Sequence, residues 1–217
     1  MLSDREHNLT LVPAGTNVAA ERLTERYAIN GHRVILYAGT FEAYQGLELL
    51  VDAAGEIVRT HKNVRFLCVG GNETQVRRMK ALAYQRGVSE YFIFPGTVPP
   101  EDVRSLFGIA SILMSPRISG TNTPLKIYSY LRSGVPIVAT KIRSHTQVLT
   151  DEVALLVEPH SQSISRGVLR LLEDAPLGNR LAERALRLAE KSYSPDAYYE
   201  KIAQVLTFLA SKPRSKS

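Results

Sequence analysis

The chain contains one cysteine, no tryptophan and no apolar run long enough to span a bilayer. A single thiol closes no intramolecular disulfide and builds no cysteine metal cluster, so Cys68, inside the run Val-Arg-Phe-Leu-Cys-Val, reads as a small buried hydrophobe. A spanning helix needs about 18 or more consecutive apolar residues. The polar start MLSDREHNLT also lacks the apolar centre of a secretory signal, so a cytosolic chain is expected. Neither a Walker lysine loop nor Gly-x-Gly-x-x-Gly occurs, which leaves a P-loop NTPase or a typical dinucleotide enzyme without support. The five histidines show no metal-ligand spacing, and neither metal nor cofactor is expected. Internal repeats, biased tracts and domain linkers are missing too.

What is present is ordinary globular material: 217 residues, 44% hydrophobic and 22% charged. The formal net charge of +6 favours anionic partners such as nucleotide diphosphates, acidic lipid surfaces or nucleic acid. The basic residues are spread over many segments, which is how a solvated face reads, so nucleic acid is not expected.

Short apolar runs recur at 34–38, 64–69, 91–94, 112–114, 136–139 and 154–157. They are apolar nearly throughout, without strict alternation, as strands covered on both faces of a parallel sheet are. Helix-period segments separate them. In 46–60, Leu47, Leu50, Val51, Ala54, Ile57 and Val58 fall on one face. Further helices are predicted over 74–86, 100–108 and 124–134, and the chain then turns helical over 161–173, 176–191 and 195–210. Near the start, a strand over 9–12, a turn over 13–15 and a helix over 19–29 are expected. Alternating strands and helices make right-handed βαβ units. The expectation is an α/β fold with a doubly wound, parallel, six-stranded Rossmann-like sheet, as one domain over 1–210 with a disordered basic tail over 211–217.

Ligands of such sheets sit beyond the carboxyl ends of the strands, where the winding reverses. The loops to inspect are 40–45, 70–73, 96–100, 115–123 and 141–144. The 115–123 loop runs directly into a helix, so its amides with Arg117 and Lys126 form a candidate phosphate site. The plainer alternative is a strand-to-helix turn with Asn122 or Thr123 as the cap. Gly39-Thr40 and Gly70-Gly71-Asn72 admit close approach of a ligand, although a glycine that merely ends a strand explains them equally.

Taken in order, these segments resemble the donor-binding half of glycosyltransferase family 4, the glycosyl transferases group 1 family, over nearly the whole chain. VILYAGTFEAYQGLELLVDAA is similar to its first strand, phosphate loop and helix start. TPLKIYSYLRSGVPIVATKIRSHTQVLTDEVALLVEP is similar to its most specific block. The resemblance implies one half of a GT-B fold and a nucleotide-diphosphate sugar as donor substrate. It places donor contacts at Gly39, Thr40, Gln45, Gly70, Gly71, Asn72, Gly96, Thr97, Val98, Arg117, Gly120, Thr121, Asn122, Thr123, Pro124, Leu125, Lys126 and Ser129. The family clamps the diphosphate with cations where this chain has Thr40 and Gln45. Its paired glutamates fall near Thr121 and Ser129, and a further glutamate is matched by Gln147. Lys126 and Arg117 are the candidates to replace the missing charge, and no catalytic residue is assigned.

Two functions of different class follow from that pattern. One is the donor-binding part of a transferase, which needs an N-terminal acceptor-binding domain or partner subunit and is inactive alone. The other is a degenerate, non-catalytic module of a glycosyltransferase complex. Contact with the inner face of the membrane, carried by the net positive charge, is a subordinate expectation.

Overall fold

In the computed structural model, residues 16–211 are described. The strand expected over 9–12, the turn over 13–15 and the tail from 212 onward lie outside them. Helix α1 (Thr16–Arg26) precedes β1 (Arg33–Ala38), after which a 3-10 turn (Ala43–Gln45) leads into α2 (Leu47–Thr60). Then come β2 (Val64–Val69), α3 (Glu73–Gln85), a second 3-10 turn (Ser89–Tyr91), β3 (Phe92–Gly96), α4 (Pro100–Ile109) and β4 (Ile112–Ser115). The second half runs through α5 (Leu125–Leu131), β5 (Ile137–Thr140), α6 (Arg143–Thr146), β6 (Leu155–Val157), α7 (Ser161–Glu173), α8 (Ala175–Tyr193) and α9 (Pro195–Ser211).

The strands form one parallel sheet in the order β3-β2-β1-β4-β5-β6, so the winding reverses between β1 and β4. Both faces are covered. Ile35, Tyr37, Phe66, Cys68, Ile112, Met114 and Val138 point toward α2, α3 and α7 and are buried there. Their neighbours Val34, Leu36, Leu67, Val69, Leu113, Ile137 and Ala139 pack under α1, α4, α5 and α8. Successive side chains of a strand point to opposite faces, so two covered faces require apolar residues at every position. Cys68 is accordingly fully buried.

Where elements depart from expectation the causes are local. Tyr91 closes a 3-10 turn, and β3 extends to Gly96 through Pro95. Proline is tolerated there because β3 is an edge strand, with only β2 beside it. Helix α5 is seven residues long and starts at Leu125, with Pro124 at its cap position and no capping side chain. The expected cap from Asn122 or Thr123 is therefore absent, since the Thr123 hydroxyl donates instead to Gln147 Oε1 at 3.0 Å. Residues 141–144 are not wholly loop, because α6 begins at Arg143. Ser211 ends α9 rather than opening a tail.

The reversal is a thin seam. β1 pairs with β2 over six register positions, from Arg33↔Val64 to Ala38↔Val69, but with β4 only at Ile35↔Ile112 and Leu36↔Leu113. Just beyond those pairs the buried Tyr130 hydroxyl accepts from Ala38 N at 3.2 Å and lies 3.4 Å from the Met114 carbonyl oxygen, bridging the two strands from α5.

Candidate donor-binding cleft

A cleft of about 390 Å³ opens above this seam, lined by the ends of β1, β2 and β3 together with α4 and α5. Its floor is backbone: Gly39 N donates to Val69 O at 3.0 Å and Gly70 N to Gly96 O at 2.8 Å, carrying the ladder past the strand ends. At Gly70 (φ +118°) an added Cβ would lie 1.9 Å from Gly39 O, so only glycine fits. Thr40, Thr97 and Ser129 bring hydroxyls to the lining, and Val98, Val103, Phe107 and Tyr130 form an apolar wall. Among the described residues no carboxylate lines it.

Among the described residues its one lining cation is Lys126. From the first turn of α5 the Nζ reaches over the Tyr37 ring, 4.1 Å from the centroid, and donates to Gln45 Oε1 at 3.3 Å. Tyr37 is held beneath it by a hydrogen bond from its hydroxyl to Thr40 O at 2.5 Å. Lys126 makes no ion pair with any described carboxylate. Burial therefore lowers its pKa from 10.5 to about 7, and repulsion from Arg117 adds to the effect. An ammonium has three donors. Here one neutral oxygen and an aromatic face serve them, an arrangement that an anion in the cleft would complete.

The 117–123 loop is organised from within. Arg117 Nε donates to Ser119 O at 2.6 Å and Nη1 to Asn122 O at 3.1 Å, while the guanidinium lies 5.1 Å from the Tyr44 ring centroid. Gln147 Nε2 donates to Thr121 O at 3.0 Å. Below the loop, Thr140 Oγ1 donates to Arg117 O. His145 is fully buried between Thr140 and Ser115. A carbonyl only accepts, so Nδ1 carries the proton toward Thr140 O at 2.8 Å, and Nε2 accepts from Ser115 Oγ at 2.9 Å. Burial lowers the His145 pKa to about 4, and the cations Lys126 and Arg117 push the same way. The ring is a neutral strut under the loop.

Of the residues expected at the site, Gly39, Thr40, Gly70, Gly71, Thr97, Val98, Lys126 and Ser129 meet in the cleft lining. Gln45 is buried behind them as the partner of Lys126. Asn72 caps α3, its Oδ1 accepting from Gln75 N at 2.9 Å. Gly96 ends β3, while Gly120, Thr121, Asn122, Thr123 and Pro124 belong to the neighbouring loop, and the Leu125 side chain is 84% exposed. Sequence reasoning missed Tyr37, Val103, Phe107 and Tyr130. Within apolar runs and helix faces they carry no signal that separates them from core.

A parallel sheet with a glycine-floored cleft at its switch point defines a Rossmann-like α/β unit. The comparisons with known proteins make that specific, for the Glycosyl transferases group 1 family matches residues 20–188, and the chain belongs to this family. Alpha-D-kanosaminyltransferase of Streptomyces kanamyceticus is 24% identical over 194 residues, covering 88% of this chain and 50% of that relative. The chain thus spans half the length of that enzyme. The structure of Anabaena HepE in complex with UDP superposes with a TM-score of 0.79 at 17% identity, covering 88% of this chain and 53% of that one. The C-terminal domain of the Francisella tularensis group 1 protein LpcC covers 79% of this chain and 93% of its own, with a TM-score of 0.69 at 19% identity. The fold is that of one half of a GT-B glycosyltransferase. Among the described residues no helix is long and apolar enough to cross a membrane.

Proposed function

We propose that the cleft is the donor site of a glycosyltransferase and that it takes the diphosphate of a nucleotide sugar on Lys126. The observation that carries this reading is a part-buried ammonium without a carboxylate partner among the described residues, facing a glycine-floored cleft at the reversal of winding. The family's cations at positions 40 and 45 are replaced by Thr40 and Gln45, and Lys126 supplies positive charge beside Gln45 from the adjacent helix. Gly39, Thr40, Gly70 and Gly71 give the sugar and phosphates a close backbone approach, with Gln45 holding Lys126. Thr97 and Ser129 offer hydroxyls, and Val98, Val103 and Phe107 give the base an apolar wall. Transfer needs an acceptor-binding half. The exposed Ile202, Val205 and Leu206 of α9 supply an apolar surface suited to such a partner. The net charge of +6 supports contact of the whole transferase with the anionic cytoplasmic membrane face.

Calorimetric titration with UDP-, GDP- and ADP-sugars tests the reading. Micromolar binding of one of them is the expected result, and absence of binding to all would refute it. In that event the second reading, a non-catalytic partner module, is favoured by the uncharged residues Thr40, Gln45, Thr121 and Ser129 at the family's charged positions.

A further inference from the structure

Arg117 invites a simple assignment as a second phosphate cation, but its contacts describe a different task. Its Nε and Nη1 both donate to carbonyl oxygens of its own loop, at Ser119 and Asn122. The chain therefore folds around the guanidinium. Gly120 sits at the centre of that wrap with φ +132°, and a Cβ there would lie 2.1 Å from Arg117 Nη2. Tyr44 covers the guanidinium from the α2 side, and Ile118 N ties the two loops together through Tyr44 O at 2.9 Å. From the end of α6 Gln147 uses both ends of its amide, Nε2 donating to Thr121 O and Oε1 accepting from Thr123 Oγ1, each at 3.0 Å. A glutamate at 147 would accept only and would face the Thr121 carbonyl with a second acceptor.

We propose that Arg117 and Gln147 are positioning residues that clamp residues 119–123 from two sides, fixing the segment that delivers Lys126 to the cleft, and that Arg117 does so through the fork of its guanidinium. The proposal rests on the donor-site reading for its effect on affinity but not for its effect on the loop. Lysine keeps the charge and loses the fork, because a guanidinium presents several donors in fixed geometry and an ammonium is a point charge. Charge and shape can therefore be separated.

The experiment is amide ¹⁵N relaxation over residues 119–123 in the wild type and in the Arg117→Lys, Arg117→Ala and Gln147→Glu variants. It is paired with NMR titration of Lys126 and with binding of UDP-, GDP- and ADP-sugars. In the wild type the loop amides should give order parameters near about 0.85, and in all three variants they should fall toward about 0.6. The Lys126 titration should move up further in Arg117→Ala, where the repelling charge is gone, than in Arg117→Lys, which keeps it. Affinity for the best-bound sugar nucleotide should fall roughly tenfold in both arginine variants, because a loop left mobile in the free protein must then be ordered on binding. An Arg117→Lys protein with a rigid loop and wild-type affinity would overturn the proposal, as would an Arg117→Ala loop as ordered as the wild type. A wild type that binds no sugar nucleotide would count against the donor-site reading alone, because the relaxation result is decided independently.

Discussion

Replacing Lys126 by methionine should make the ligand-free protein more stable and the donor complex much weaker. The two effects share a cause. The lysine titrates at 10.5 when unfolded and near 7 in the fold, so between those values the unfolded chain binds more protons and folding stability rises with pH. The cost of the buried ammonium is therefore complete at pH 7 and below, and gone above pH 10.5. Methionine removes it at every pH, so the variant should melt higher at pH 7, by about 2–4 °C per kcal/mol recovered in a chain of this size. Binding moves the opposite way. A charge-assisted hydrogen bond to a phosphate contributes about 1.5–3 kcal/mol, so the variant should bind the sugar nucleotide roughly 10- to 150-fold less tightly. In the wild type, half of the lysine is ammonium at pH 7 and about one part in a hundred at pH 9. Affinity should thus fall about fiftyfold over that interval while the bound state keeps its proton, with uptake of about half a proton on binding at pH 7. Titration calorimetry in buffers of different ionisation enthalpy measures both quantities, and a nucleotide sugar is a suitable probe because its diphosphate diester does not titrate there. Equal affinity at pH 7 and pH 9, together with wild-type binding by Lys126→Met, would refute the reasoning.

Gly70→Ala should destabilise the fold by about 2 kcal/mol or more, read by chemical denaturation, because its Cβ would meet Gly39 O at 1.9 Å; an unchanged midpoint would refute the close approach. Tyr130→Phe should cost about 1–3 kcal/mol in the same assay, since it leaves the buried Ala38 N–H without its acceptor. For His145 the folded pKa lies below the ordinary 6.5, so its contribution is present above pH 6.5 and lost as pH falls toward about 4. Unfolding free energies of the wild type and His145→Asn should therefore diverge at pH 7 and converge toward pH 4, and parallel curves would contradict the neutral strut.

The fold was legible because a sheet covered on both faces leaves a simple trace, short runs with no polar alternation, and 34–38 and 64–69 show it plainly. Strand-end glycines pointed to the cleft floor for a similarly local reason. The rest of the site depends on side chains from distant segments that look ordinary in place. Tyr37 reads as one more strand residue until its ring is found beneath Lys126. Phe107 and Val103 read as an amphipathic helix face until that face is seen to border open space. Nor does the sequence show that a loop is folded around its own arginine, as the loop of Arg117 is.

The thin seam between β1 and β4 gives the cleft a mechanical meaning. Gly39, Gly70 and Thr97 belong to the first half of the sheet, whereas Lys126, Ser129 and Tyr130 arrive with the second, and only two register pairs join the halves directly. A molecule resting on both sides acts as a rivet across the weakest joint of the sheet. Occupancy would slow hydrogen exchange in β2, whose end lines the cleft, and in β5, which lies outside the lining, together, so that the protein's resistance to being pulled apart becomes a report on what it carries.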